Sequence, residues 1–213
     1  TSREAYFHAE HPVMVDYNVY QDLFGRDGRM IVSLKPEGGV FSADFMSTLR
    51  TIHEEIEENV PLLRDVTSLV NVRETVGDDD GLTVDDFLAD WPETEAELRV
   101  VEARALANPL YQDFVLSGNG AVASIGMEIE LYQEAVGGDE LAGFGGGDDA
   151  GAADEPPKLT GGEDDKRILT ALYEVLEPHQ SSSLDIYVAG IPGLNAAMSM
   201  RMERDMGLFT LLS

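Results

Sequence analysis

The sequence predicts an α+β fold. Ferredoxin-like strand–helix–strand units share an antiparallel or mixed sheet, with the helices on one face and a helical insertion between units. Three observations carry this reading. A strand–helix–strand pattern appears twice, at about 30–72 and again at 121–131, 163–177 and 184–189. The segment before Leu131 alternates strictly, with Ile125, Met127, Ile129 and Leu131 on one face and Ser124, Gly126, Glu128 and Glu130 on the other. That is the signature of a strand with one face on a core. Both helical segments carry an apolar stripe, and tandem units of this kind suggest the split βαβ arrangement.

Each element has a local cause. Residues 1–29 read as a connecting segment whose Tyr6, Phe7, Tyr17, Tyr20 and Phe24 dock onto the domain. Met30 to Leu34 is a short apolar strand, broken by Pro36-Glu-Gly-Gly39. Ser42 is an N-cap and Asp44 favours the helix dipole. Phe45, Leu49, Ile52, Ile56 and Val60 then fall on one helical face, and Pro61 stops the helix. Val66 to Val72 reads as the second strand. Residues 77–111 read as a helical insert, with capping-box spacing at Thr83/Asp86 and Thr94/Glu97. Its second helix runs from about Glu95 to Ala107, before Asn108-Pro109. Residues 113–131 read as a hairpin around Ser117-Gly-Asn-Gly120.

Residues 135–165 contain 9 glycines and 9 acidic residues in 31 positions, with Lys158 the one basic residue. Such a segment buries too little apolar surface to offset its ordering entropy, so a mobile acidic loop is expected there. Thr160 and Glu163 have capping-box spacing. Ile168, Leu169, Leu172, Val175 and Leu176 form the next helical stripe, and Leu184 to Val188 is a strand. After Gly190-Ile-Pro-Gly193 a final helix is expected over 194–213, with Leu194, Met198, Met202, Met206 and Phe209 recurring at helical spacing.

Charge narrows the function. The 213 residues hold 41 Asp and Glu against 14 Lys and Arg, a formal net charge of −27. Phosphates are repelled by such a surface, which argues against nucleic-acid partners. Arg outnumbers Lys by 11 to 3. Many carboxylates with little Lys suggest either adaptation to high salt, where the Debye length falls to about 3 Å, or a cation-binding surface. With no cysteine there is no disulfide, thiolate metal site or cysteine nucleophile. The 43% apolar content still supports a core. No signal peptide is read at the start, and the chain, opening without Met, reads as a piece of something longer.

No catalytic, cofactor or metal constellation is recognisable. Asp78-Asp-Asp-Gly81 fails as an EF-hand loop, because Val76 and Phe87 would stand where carboxylates are required. Gly143 to Asp149 resembles a single copy of a calcium-binding nonapeptide, and such sites need stacked copies. Gly118-Asn-Gly120 is a turn, with no Lys-Ser/Thr pair after it to hold phosphate. His8, His11, His53 and His179 are scattered, and carboxylates are too common for any pair to mark an acid/base dyad. The expectation is a protein that is not an enzyme and carries no cofactor.

Three stretches in order carry a family resemblance. They are Tyr20 to Leu34 with Phe24-Gly-Arg-Asp27, then Val66 to Val72 with Ala105 to Tyr111, then Val188-Ala-Gly-Ile-Pro192 leading to Arg204-Asp-Met206. Over roughly 20–132 and 184–209 the chain resembles the extracytoplasmic porter domain of RND-superfamily transporters, in the MmpL-like and hopanoid-exporter-like branch. The resemblance implies a loop between the first two membrane helices of a multi-pass exporter in the cell membrane. On this view 30–190 is a porter-like domain and 191–213 is a helix leading toward a transmembrane segment. It implies that the domain handles a hydrophobic or amphiphilic small molecule or lipid. The rest of the same polytopic protein, a sister porter domain and a homo-oligomer of the full transporter are the implied partners. A different function that the sequence allows is an extracytoplasmic protein-interaction domain of a membrane export or secretion assembly. The insert holds the sole tryptophan, so Phe87, Leu88 and Trp91 are the candidate substrate-binding residues.

Overall fold

A computed structural model describes residues 11–13, 15–16, 19, 28–78, 81–130, 132–133, 158–159 and 162–212. The elements are β1 (Arg29–Pro36), α1 (Ala43–Asn59), β2 (Leu63–Thr67), β3 (Arg73–Asp78), β4 (Gly81–Asp86), α2 (Glu95–Ala107) and β5 (Ala123–Ile129). They continue with β6 (Tyr132–Gln133), β7 (Lys158–Leu159), α3 (Gly162–Leu176), a 3-10 turn at Glu177–His179, β8 (Leu184–Gly190) and α4 (Ile191–Leu212).

The main sheet has the order β2-β5-β1-β8, and every pairing in it is antiparallel. The β1–α1–β2 unit therefore straddles β5, and the β5–α3–β8 unit straddles β1. This is the split βαβ, α+β arrangement the two tandem units predict, with the helices to one side of the sheet.

The core lies between the sheet and α1 and α3. Met30, Val32 and Leu34 of β1 and Ile125, Met127 and Ile129 of β5 are buried on one face. They meet Phe45, Leu49, Ile52 and Ile56 of α1 and Ile168, Leu169 and Leu172 of α3. Burying a side chain of this size contributes about 1.5–3 kcal/mol. Helix ends are satisfied as their sequences require. Ser42 Oγ accepts from Phe45 N–H at 3.3 Å. In α2 the capping box is complete, with Glu97 N–H donating to Thr94 Oγ1 and Thr94 N–H donating to Glu97 Oε2. These backbone donors, from Glu93 and Thr94, hold the Glu97 carboxyl below its ordinary value.

Several expectations are corrected. The second strand is Leu63–Thr67, whereas 68–71 is a turn. Ser68 N–H donates to Asn71 Oδ1, and Asn71 Nδ2 donates back to Val66 C=O. These side chains satisfy backbone groups that a ladder would otherwise use. The insert over 77–111 is helical only in α2. Thr83 and Asp86 cap no helix, because Gly81–Asp86 pairs with Arg73–Asp78 as a hairpin. The alternation of Leu82 and Val84 with Thr83 and Asp85 favours a strand over a helix. The 113–131 hairpin is reduced to one bridge, Leu116↔Ala123, ahead of β5. Ser117 Oγ accepts from Ala121 and Val122 N–H and rounds off that turn.

The expected loop does not include 158–159 or 162–165. Lys158–Leu159 pairs with Tyr132–Gln133, and 162–165 is already the first turn of α3. Residues 134–157, the Thr160 cap and Tyr6, Phe7, Tyr17, Tyr20 and Phe24 lie outside the described residues.

The apolar repeat in α4 faces away from the body. Leu194, Met198 and Met206 are 58%, 49% and 67% exposed, while Gly193, Ala196 and Ser199 are buried. Space is the reason: a Cβ at Gly193 would already sit 3.0 Å from Met30 Cε. Only small side chains fit where α4 crosses β1 and α3.

Gly190 is the hinge of this corner. Its φ is +132°, and an added Cβ would lie 2.5 Å from Arg29 C=O and 2.8 Å from Met30 Cα. Gly190→Ala is therefore expected to cost about 3 kcal/mol or more in chemical denaturation, from backbone strain plus a clash that cannot relax. Unchanged stability would place α4 elsewhere. The ion pairs, such as Arg64–Glu128 at 3.4 Å and Arg73–Asp86 at 3.3 Å, are mostly exposed and individually weak. They cannot offset a net charge of −27. The melting temperature should accordingly rise steeply with KCl into the molar range. A melting temperature insensitive to salt would argue against salt adaptation.

Candidate functional site

The three residues singled out from the sequence act as anchors. Phe87 and Leu88 are buried, at 3% and 6% exposure, and Trp91 is half-buried against the core. Phe87 N–H donates to Val72 C=O and closes the base of the β3–β4 hairpin. The Phe87 ring meets Tyr111 edge-on, with centroids 5.1 Å apart. Arg104 lies 5.0 Å over Phe87, and Arg50 of α1 lies 4.2 Å over Trp91. Arg104 also pairs with Glu74 on β3. Such cation–π contacts contribute about 0.5–1 kcal/mol at exposed sites. Together they fasten the hairpin and α2 to the main body. Phe87, Leu88 and Trp91 line none of the hollows described below.

A hollow of about 790 Å³ opens where β1 leaves the sheet. Lys35, Glu37, Phe41, Glu102, Asn119 and Asp185 are among its walls, so it is predominantly polar. It lies between α2 and the end of the sheet, and none of the candidate residues Phe87, Leu88 and Trp91 lines it.

A groove that is apolar in its larger part lies along β8. Its first part, about 470 Å³, is lined by Leu169 and Tyr173 of α3, by Val188 to Gly190, and by Ile191, Gly193, Leu194 and Ala197 of α4. Its second part, about 270 Å³, shares Tyr173 and Val188 and continues past Leu176 and Ile186 to Glu177 and Gln180. Apolar walls with a few polar groups at one end suit an amphiphile, and the first part alone is within the size range of small-molecule sites. The groove exists because α4 leaves β8 directly at Gly190 and leans on α3 through its small residues. Sequence reading missed it. The available signal was the alternation at 184–190, which leaves Ile186 and Val188 half-buried beside the exposed Tyr187.

His53 and Ser68 form a buried Ser–His pair, with Oγ and Nδ1 3.0 Å apart. Ser68 Oγ also accepts from Val70 N–H at 3.1 Å. Ser68 is fully buried and His53 is 3% exposed. No substrate reaches this hydroxyl, and the pair ties α1 to the turn after β2. Two residues further along α1, Glu55 Oε2 meets His179 Nε2 at 2.7 Å. Among the described residues no group of three or more His, Asp or Glu is placed to hold a metal. Among them, too, no helix is long and apolar enough to cross a membrane.

Comparison with protein-family models, with curated proteins and with solved structures finds no match to this chain.

Burial holds His53 below its ordinary 6.5, and nearby Glu57, Glu54 and Asp65 only partly counter it. The folded state thus favours the neutral ring. The unfolded state takes up its proton first as pH falls through 6.5. Stability from the neutral ring is complete above that value and is lost as pH falls toward the folded-state pKa. His53→Asn keeps a polar partner for Ser68 but cannot titrate. The wild-type protein should lose stability relative to this variant on acidification below 6.5, in paired denaturation series. Parallel pH curves would show that His53 does not titrate with folding.

Proposed function

We propose that this chain is the extracytoplasmic substrate-handling domain of an RND-like membrane exporter, taking hydrophobic or amphiphilic molecules. The apolar groove between α3, β8 and α4 is the observation that carries this reading. A molecule lying there would bury an apolar body against Leu169, Tyr173 and Leu194. Its head would reach Glu177 and Gln180 at the far end. The acidity of the chain favours neutral or cationic amphiphiles over anionic ones, and molar salt weakens that preference. The split βαβ topology supports the resemblance, because porter domains of that superfamily are built from such units. In this reading the domain belongs to a multi-pass protein of the cell membrane, beside a sister porter domain. It does no covalent chemistry and needs no cofactor.

A second reading, an extracytoplasmic protein-interaction domain of an export or secretion assembly, draws on the β3–β4 hairpin. It holds Leu82 and Val84 in solvent at 77% and 53% exposure.

Calorimetry in molar KCl separates the two. A long-chain trimethylammonium amphiphile and a fatty acid, each below its critical micelle concentration, should bind saturably. Ala197→Glu, on the exposed side of α4, puts a carboxylate at the groove wall and should weaken fatty-acid binding by about tenfold or more. Leu82→Ser on the hairpin should leave binding unchanged. Absence of saturable binding for both probes, or binding indifferent to Ala197→Glu, would overturn the transport reading.

A further inference from the structure

The two edges of the main sheet are unlike. β2 carries exposed Arg64 and Asp65 and a register irregularity between Leu63 and Asp65. Charges and irregularities are the usual means of keeping an edge from pairing. β8 has neither device. Seven consecutive residues, Leu184–Gly190, pair with β1 without irregularity, and Asp185 is the one charge among them. Asp185 itself stands opposite Lys35 on β1. Among the described residues no strand pairs with the outer side of β8. In a chain of net charge −27 such an edge is an exception.

We propose that β8 is a pairing edge between two copies of this chain, joined antiparallel about Tyr187 into one continuous eight-stranded sheet. The register follows from the sequence of β8. If both helix layers are to stay on one side, helix-facing residues must oppose helix-facing residues. Centring the two-fold axis on Tyr187 meets this condition and pairs Asp185 through Ala189, while Leu184 keeps its N–H on Ser181 C=O. Ile186 then opposes Val188 of the second copy, Tyr187 opposes its own mate, and Asp185 opposes Ala189. No carboxylate meets a carboxylate, which is what a partner of the same strongly negative charge requires. An isologous two-fold contact of this kind is self-limiting, since it uses both free edges. The added strand also lays Ile186 and Val188 of the second copy beside Tyr173, over the open side of the groove. An edge of one strand buries less than the roughly 800 Å² per partner of a standard interface. The dimer is therefore weak, and salt strengthens it by screening the mutual repulsion. The pairing stands on the strand edge and does not depend on what the groove binds.

The absence of cysteine makes the test direct. Tyr187→Cys places one thiol on the proposed axis, and Leu82→Cys places one on the exposed hairpin as a control. Under mild oxidation in molar KCl, the 187 variant should form disulfide-linked dimers much faster than the control. Sedimentation equilibrium of the full chain should show a monomer at low salt and a monomer–dimer equilibrium at high salt. Ala189 is exposed, so its variants should fold, as their melting curves will check. Ala189→Asp faces Asp185 of the second copy at two places and should weaken dimerisation about tenfold. Ala189→Lys faces the same carboxylates and should strengthen it by a similar factor. A monomer at every salt concentration, cross-linking at 187 no faster than at 82, or both Ala189 variants shifting the equilibrium in one direction would each overturn the proposal.

Discussion

The domain depends on one strand pairing with two neighbours. β1 accepts β5 on one side and β8 on the other, and each of those belongs to the second strand–helix–strand unit. Neither unit has a sheet of its own. Without β1 between them, β5 and β8 would not form adjacent parts of a ladder, and α3 would have no surface to cover. The buried stripe of Met30, Val32 and Leu34 is correspondingly the part of the core that touches both units. Everything useful in the fold, including the position of the groove, is measured from this strand.

Charge and packing divide the molecule between them. The core is conventional, and no buried side-chain nitrogen or oxygen among the described residues lacks a hydrogen-bond partner. The surface carries the excess carboxylates. Where the protein needs an apolar surface, it creates one by geometry: α4 turns its small residues inward and leaves Leu194 and Met198 outward. A helix that used its large residues for packing would have stood further from β1, and the groove beside α3 would have been filled.

Much of this was legible in the sequence, and the failures have physical causes. Periodicity found β1, β5, α1, α3 and the split βαβ order, because those elements each bury one face against the same core. It failed at 66–72, where Ser68 and Asn71 turn an apolar run into a closed loop. It failed again at Thr83, where a three-residue spacing that suits a helix cap also occurs on a strand. The anchoring of Phe87 by Arg104, and of Trp91 by Arg50, depends on pairs 17 and 41 residues apart (104 − 87 and 91 − 50), beyond any local pattern. The groove was hidden for a related reason. It is assembled from α3, β8 and α4, and no single segment among them resembles a binding site.

The split topology also sets a timetable. Ile31 pairs with Gly126 and with Ala189, so β1 waits for partners 95 and 158 residues further along (126 − 31 and 189 − 31). Contacts this distant make folding slow relative to helical bundles of the same size. On a ribosome, α1 and the β3–β4 hairpin are complete long before β8 emerges. One side of an apolar strand stays open until β5 emerges, and the other until β8 does. The high negative charge that burdens the finished fold keeps such half-made chains apart while they wait.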